Sequence, residues 1–256
     1  MNNLQKMQSE GLSPDRITYI CILKACGSIG YLDMGKEIHD KSTKQNLVAK
    51  DVVLGATLVE MYAKCGIIRI AQQVFDELPV QNLESWVALM AGYAHLGQPK
   101  KVLSLFEEMI KQRITPNVET FLALLNACNH GGLVKEGQIL FEDISTIYCL
   151  MPGVEHYASM VSLFSRAGYF DNAMVVIEKM PSCDYFAVWI AFLGACCKWV
   201  NVELGRWAFE RLLELDGMCG AAYVYMRNIY AAAGMHAEAV SIEIQRVEME
   251  PSMIVE

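Results

Sequence analysis

Apolar residues recur along this chain at helical spacing. In the segment from Leu103 to Met109, for example, Leu103, Phe106 and Met109 follow each other at intervals of three, and Leu105 lies four positions before Met109. Such spacing places the apolar side chains on one face of an α-helix. No segment shows the strict alternation of apolar and polar residues that is typical of a half-buried β-strand. The pattern therefore predicts helices and no sheet.

The helical segments belong to a unit that repeats about every thirty-five residues. Each unit has a helical apolar run, then a small residue or cysteine, a glycine, and a second helical run. The recurring glycines are Gly30, Gly66, Gly97, Gly132, Gly168 and Gly234. They are separated by 36, 31, 35, 36 and 66 residues, and a glycine missing from the last interval would fall near Val200. Glycine supplies a left-handed turn after the first helix, and Pro79, Pro116 and Pro181 end second helices.

Each unit is therefore predicted to be an antiparallel pair of helices. One helical hairpin cannot bury both of its apolar faces, so neighbouring hairpins must stack on each other. We predict an all-α fold, a right-handed α-solenoid of helix-turn-helix repeats with a concave side.

Composition narrows the class of protein. Of the 256 residues, 54% are apolar and 20% are charged, which favours a folded chain over a disordered one. The longest apolar stretch, Phe186 to Cys197, is shorter than a membrane span, and residues 1–20 resemble neither a signal peptide nor a transit peptide. Nine cysteines without a C-x-x-C pair favour free thiols in a reducing compartment. We expect no metal and no cofactor.

Charge is unevenly distributed. Residues 1–153 contain 14 Lys and Arg against 16 Asp and Glu, a net charge of −2, whereas residues 154–256 contain 7 against 13, a net charge of −6. The more acidic part would repel a phosphate backbone. Any nucleic acid is therefore expected on residues 1–153.

The repeat resembles the pentatricopeptide repeat. Its clearest copy consists of Pro14-Asp15, Thr18-Tyr19, Leu23, Ala25-Cys26 and Gly30. The successive lengths of 36, 31, 35 and 36 residues resemble the plant variety with long, short and standard motifs. These repeats are residues 16–51, 52–82, 83–117 and 118–153, and residues 1–15 resemble the tail of an incomplete repeat.

The C-terminal part resembles the motifs that end such plant proteins. Residues 154–186 resemble a terminal short repeat, and residues 187–256 resemble two tetratricopeptide-like extension motifs. Val240 to Glu248 departs from the family's basic pattern at this place. In relatives, this tail precedes or replaces a cytidine deaminase domain, so the resemblance implies a site-recognition factor for C-to-U RNA editing in a mitochondrion or chloroplast.

The resemblance also implies which residues contact single-stranded RNA. In the family, the fifth and last residues of a repeat read one base, and the second residue flanks it. By position, the candidate base-reading residues are Asp15, Ile20, Asp51, Ala56, Asn82, Val87, Asn117 and Leu122. The candidate flanking residues are Ile17 and Val53, and the candidate phosphate contacts are Lys24 and Lys64.

Two departures weaken this prediction of readout. Every fifth residue is apolar, and Glu84 and Glu119 place carboxylates where the family has an apolar flanking residue. Asn82 and Asn117 can each offer a hydrogen bond to a base, but Asp or Asn before a helix is also an ordinary N-cap. Both interpretations stay open. The tryptophans and tyrosines are expected to pack in the core.

An enzyme is not expected. A zinc-dependent deaminase needs H-x-E followed by P-C-x-x-C, and His236-Ala237-Glu238 matches only the first part because no cysteine follows Cys219. We therefore predict an RNA-binding protein that recruits a deaminase-domain protein in trans, with small organellar editing-factor proteins as further partners and no membrane contact. The alternative is a protein–protein scaffold that has lost RNA readout.

Overall fold

The computed structural model describes residues 14–181, 185–216 and 219–249, and these residues form helices, turns and loops. The helices are α1 (Arg16–Ile29), α2 (Leu32–Lys44), α3 (Val52–Lys64), α4 (Ile68–Glu77), α5 (Leu83–His95), α6 (Pro99–Lys111), α7 (Val118–Gly131), α8 (Val134–Thr146), α9 (Val154–Arg166), α10 (Phe170–Glu178), α11 (Phe186–Trp199), α12 (Val202–Leu215), α13 (Gly220–Ala232) and α14 (His236–Met249). The predicted all-α solenoid class is confirmed.

The chain divides into two compact units, residues 1–131 and residues 132–256. In the first unit, the first helices of successive hairpins pack side by side, α1 on α3, α3 on α5 and α5 on α7. In the second unit, α9 packs on α11 and α11 on α13. The division falls inside the predicted repeat 118–153. The predicted ranges 16–51, 52–82 and 83–117 each hold two helices, but their boundaries stay a prediction.

The turn inside each hairpin is left-handed, as the glycine spacing predicts. All six recurring glycines have positive φ, between 64° and 85°. The missing glycine is replaced at the predicted place by Val200, whose φ of 53° and ψ of 42° are also left-handed. Because a β-branched side chain is strained in this conformation, the turn after α11 retains the geometry of the repeat at a cost in stability.

Side-chain caps mark where several first helices begin. Asp15 accepts from the backbone N–H of Thr18, and Asp51 accepts from those of Val53 and Leu54. Asn82 accepts from the N–H of Ser85. Such caps satisfy backbone donors that the helix leaves unpaired. Asp15, Asp51 and Asn82, which each end a predicted repeat, therefore have a structural role, whatever else they do.

Large aromatic side chains fill the core between hairpins. Trp86 is buried and meets the ring of Phe75 edge-on at 4.7 Å between centroids, and Trp189 meets Trp207 in the same way at 4.6 Å. The expectation that every tryptophan packs in the core is wrong for Trp199, which is 47% exposed. Trp199 is the last residue of α11 and lies over the left-handed turn at Gly168.

Within the described residues, no helix has the length and apolar content that a bilayer crossing requires.

Candidate nucleic-acid interface

A groove of about 480 Å³ lies over the first helices of the first unit. Most of its lining comes from α3 and α5, which run side by side. Lys24 of α1 and Glu119 of α7 contribute to the lining as well, and Asn82 stands at the N-terminus of α5. The groove therefore draws on four successive first helices of the stack.

The floor of the groove is aliphatic and closely packed. Ala56 of α3 and Val87, Ala88 and Ala91 of α5 line it. Gly92 lets the two helices approach, because a Cβ added there would lie 2.8 Å from the Cβ of Ala63. A shallow apolar floor of this kind suits the face of a planar group such as a nucleic-acid base.

Charged side chains of both signs line the groove. Lys24 and Lys64 are the lysines, and Glu60, Glu84 and Glu119 are the carboxylates. Two positive charges against three negative ones give a formal charge of −1. The Nζ atom of Lys64 lies 2.7 Å from Oε1 of Glu60, and both side chains are partly exposed. Such a surface ion pair contributes little to stability, so a phosphate could compete with Glu60 for this lysine.

Half of the predicted contact residues line this groove. They are Lys24, Val53, Ala56, Lys64, Asn82 and Val87. Asn82 uses its Oδ1 atom to cap α5 at 3.1 Å from the Ser85 nitrogen, which leaves the side-chain NH₂ group to donate to a ligand. The structure thus brings together one capping amide, two lysines and an apolar floor.

The other predicted residues do not line the groove. Both aspartates have polar partners: Oδ1 of Asp15 accepts from the amide and the hydroxyl of Thr18, which lower the pKa of the carboxyl, and Oδ2 of Asp51 lies 3.0 Å from Nη1 of Arg16. Asn117 accepts from both the amide and the hydroxyl of Thr120. The apolar members of this set are Ile17, which is exposed, and Ile20 and Leu122, which are half-buried. Their predicted RNA contacts stay predictions.

Some groove residues were not predicted as contacts from the sequence. Glu60 and His95 are the two that bear on binding, because Glu60 neutralises Lys64 and His95 adds an imidazole ring at the end of α5. Both could have been found by helical spacing, since Glu60 lies four residues after Ala56 and His95 lies eight after Val87. Among the described residues, no cluster of His, Cys, Asp and Glu could hold a metal ion.

Three family models match the chain. A model of the PPR repeat family matches residues 81–130, a PPR repeat model matches residues 155–185, and an E motif model matches residues 199–253. The first match contains α5 and α6, and the last contains α12, α13 and α14.

Curated relatives from Arabidopsis thaliana match along most of the chain. The pentatricopeptide repeat-containing protein At5g66520 is 40% identical over 88% of this chain and 36% of its own length. The putative pentatricopeptide repeat-containing protein At3g28640 is 39% identical over 93% of this chain and 48% of its own length. This chain thus spans between about a third and a half of these relatives. Other matched relatives are named chloroplastic or mitochondrial.

Solved structures show the same fold at low identity. The crystal structure of the pentatricopeptide repeat protein PPR10 in complex with an 18-nt psaJ RNA element matches with a TM-score of 0.73 and 17% identity, over 96% of this chain and 37% of that one. The structure of PPR10 from maize matches with a TM-score of 0.61 and 19% identity, over 95% and 40%.

Proposed function

Because this chain is built of pentatricopeptide repeats followed by an E motif, we propose that it binds single-stranded RNA in the groove of its first unit. The observation that carries the proposal is the groove itself, which combines Lys24, Lys64 and the Asn82 amide with an aliphatic floor. Lysines attract phosphates, an amide can donate to a base edge, and the floor accepts a base face. The likeness in fold to PPR10, solved with an RNA element, supports this assignment.

The groove favours weak and salt-sensitive binding. Its carboxylates oppose the lysines, and one lysine is already paired with Glu60. Its apolar fifth residues, Ala56 and Val87, offer no hydrogen bond to a base edge. Sequence preference would therefore rest on Asn82 within the groove and would be modest.

The salt dependence of RNA binding tests this proposal. We expect that Lys24→Ala combined with Lys64→Ala lowers the slope of log affinity against log salt by about 1.4, because each lost phosphate contact on a single strand accounts for about 0.7. Fluorescence anisotropy with a labelled single-stranded RNA pool measures the slope. The matched control replaces Lys36 and Lys111, which are exposed on second helices, and should leave it unchanged. Equal slopes for both double variants would contradict the proposal.

We further propose that the chain is a site-recognition factor for C-to-U editing in a mitochondrion or chloroplast. In this role it holds a transcript and brings a separately encoded deaminase-domain protein, and small organellar editing-factor proteins, to a nearby cytidine. The E motif match at residues 199–253 and the organellar names of relatives support this role. Sequencing of organellar transcripts from plants that lack this chain should show that a small number of specific cytidines are no longer edited. Unchanged editing at every site would overturn the role.

The net negative charge of the groove favours a second candidate, a protein–protein scaffold. Glu60, Glu84 and Glu119 would then face a basic protein segment instead of phosphate. The two candidates differ in one readout. RNA that fails to bind even at low salt would favour the scaffold.

A further inference from the structure

The second helices of the chain share an acidic position, which the last hairpin lacks. When residues are counted from each left-handed turn residue, the tenth residue is acidic and exposed in six hairpins. These residues are Asp40, Asp76, Glu107, Glu142, Glu178 and Glu210. In the last hairpin, counted from Gly234, the tenth residue is Ile244, which is 53% exposed. Among the described second helices, α14 is therefore the one in which an isoleucine replaces the hydrated carboxylate at this position.

Ile244 belongs to an exposed apolar row along α14. Ala237, Val240, Ile244 and Val247 follow each other at intervals of three, four and three residues, and all four are exposed. Val240 is 60% exposed and Val247 is 50% exposed. This is the spacing of the seam along which one helix packs against another in a coiled coil. We call these four residues the terminal seam.

Two charged groups of the same helix, Glu243 and Arg246, are held in ion pairs beside α13. Glu243 forms an ion pair with Arg246 of its own helix, in which Nη2 lies 2.8 Å from Oε1. It forms a second ion pair with Arg227 of α13, in which Nη1 lies 3.2 Å from Oε2. Both arginines and the carboxylate are thus held at the side of α14 that faces α13. The four seam residues are apolar over about three turns, and the exposed carboxylate of Glu248, four residues after Ile244, lies beside the C-terminal end of the seam.

Earlier hairpins show what this side of a second helix contacts. In the first unit, Gln72, the sixth residue after its turn glycine, accepts a hydrogen bond from the Tyr93 hydroxyl of the next hairpin at 3.0 Å. In the second unit, Arg206, the sixth after Val200, donates to the Tyr230 hydroxyl of the next hairpin at 2.7 Å. Val240 is the sixth residue after Gly234. In these two earlier hairpins, the side chain at the position of Val240 thus reaches a tyrosine hydroxyl of the next hairpin.

We propose that the terminal seam docks an amphipathic α-helix of a partner protein, whose aliphatic side chains are flanked by basic residues. The seam spacing selects a helix, because only a helix presents side chains at the matching interval. The acidic balance of residues 154–256, 7 basic against 13 acidic residues, favours basic flanks and disfavours an anionic membrane surface. The inference does not depend on RNA binding, and it gives the recruitment role of the proposed function a location.

The proposal is tested on the full chain with a synthetic helical peptide of three heptads. The peptide has leucine at the a and d positions of each heptad and lysine at the flanking e and g positions. Fluorescence anisotropy of the labelled peptide should show binding that Ile244→Glu weakens at least tenfold. Ile139→Glu is the matched control, because Ile139 is an exposed isoleucine on another second helix of the same unit, 59% exposed. It should leave the affinity unchanged. A peptide with glutamate at the flanking positions should bind at least tenfold more weakly.

Separate readouts distinguish the ways in which the proposal can fail. Thermal unfolding of both variants shows whether each remains folded, and Ile244→Val, which retains an aliphatic seam, should bind the peptide nearly as well as the original chain. Equal peptide affinity for Ile244→Glu and Ile139→Glu would overturn the proposal, as would binding of the original chain to phosphatidylcholine vesicles in a manner that Ile244→Glu abolishes. RNA affinity should not change with Ile244→Glu, so failure here leaves the groove proposal standing.

Discussion

Replacing the two unpaired carboxylates of the groove should tighten RNA binding. Glu84 and Glu119 line the groove, and no ion pair between described side chains neutralises either one. With Glu84→Gln and Glu119→Gln, the formal charge of the groove changes from −1 to +1. The amide keeps the size of the side chain and its place in the first turn of the helix. The perturbation is therefore almost purely electrostatic.

Coulomb's law gives the size of the expected effect. A carboxylate about 7 Å from a phosphate, in a dielectric of about 80, repels it by about 0.6 kcal/mol. Two such repulsions amount to about 1.2 kcal/mol, which corresponds to about sevenfold tighter binding. Screening shortens the range of this repulsion, so the gain should shrink as salt is raised.

Anisotropy titrations of a labelled single-stranded RNA pool at low salt measure this gain. The matched control is Glu107→Gln with Glu108→Gln, which removes two exposed carboxylates from α6, outside the groove. If the control tightens binding as much as the groove variant, the effect comes from net charge and the groove is not the binding site. A groove variant that binds no more tightly than the original chain would refute the reasoning outright.

Three further predictions concern single positions. Glu60→Gln frees Lys64 from its ion pair and should tighten RNA binding about twofold to fivefold, measured in the same titrations. Val200→Gly relieves a left-handed valine and should raise the free energy of unfolding by about 0.5–1 kcal/mol in chemical denaturation. Burial lowers the pKa of His39, whose Nδ1 lies 3.0 Å from the Tyr62 hydroxyl. Below about pH 6.5 the unfolded chain therefore binds a proton at this residue more readily than the folded chain does. The free energy of unfolding should fall by up to about 1.4 kcal/mol for each unit by which the pH is lowered, and His39→Gln should remove that component.

Two of these predictions have a control on the same chain. Val224→Gly, in the interior of α13, should lower the free energy of unfolding, because glycine weakens a helix where φ is negative. His95→Gln, at an exposed position, should keep the pH dependence that His39→Gln removes. An unchanged RNA affinity for Glu60→Gln would show that Lys64 does not contact phosphate.

The repeat period predicted most of the fold because glycine has a specific backbone role. A left-handed turn is nearly free for glycine, so its recurrence marks each hairpin, and the interval alone located the turn at Val200. Trp199 was placed wrongly in the core because helical register with apolar neighbours does not show that a residue at the end of α11 lies over the turn at Gly168.

The candidate site was predicted only in part from the sequence. The family positions identified Asn82 and Val87, because these lie at fixed places at the start of a first helix, and fixed places face the same side. Lys64 was selected as a lysine on a first helix. The ion pair of Asp51 with Arg16 was not predicted, because it joins the N-cap of α3 to the first residue of α1, and the distance between them depends on how the two helices pack.

Cross-linking tests the central claim, that the groove of the first unit holds single-stranded RNA. An RNA pool that contains 4-thiouridine is bound to the full chain at low salt, irradiated, and mapped by mass spectrometry of the cross-linked peptides. We expect cross-links on α3 and α5, at groove residues such as Asn82, Val87 and His95. Cross-links confined to residues 154–256, or to second helices of the first unit, would contradict the account.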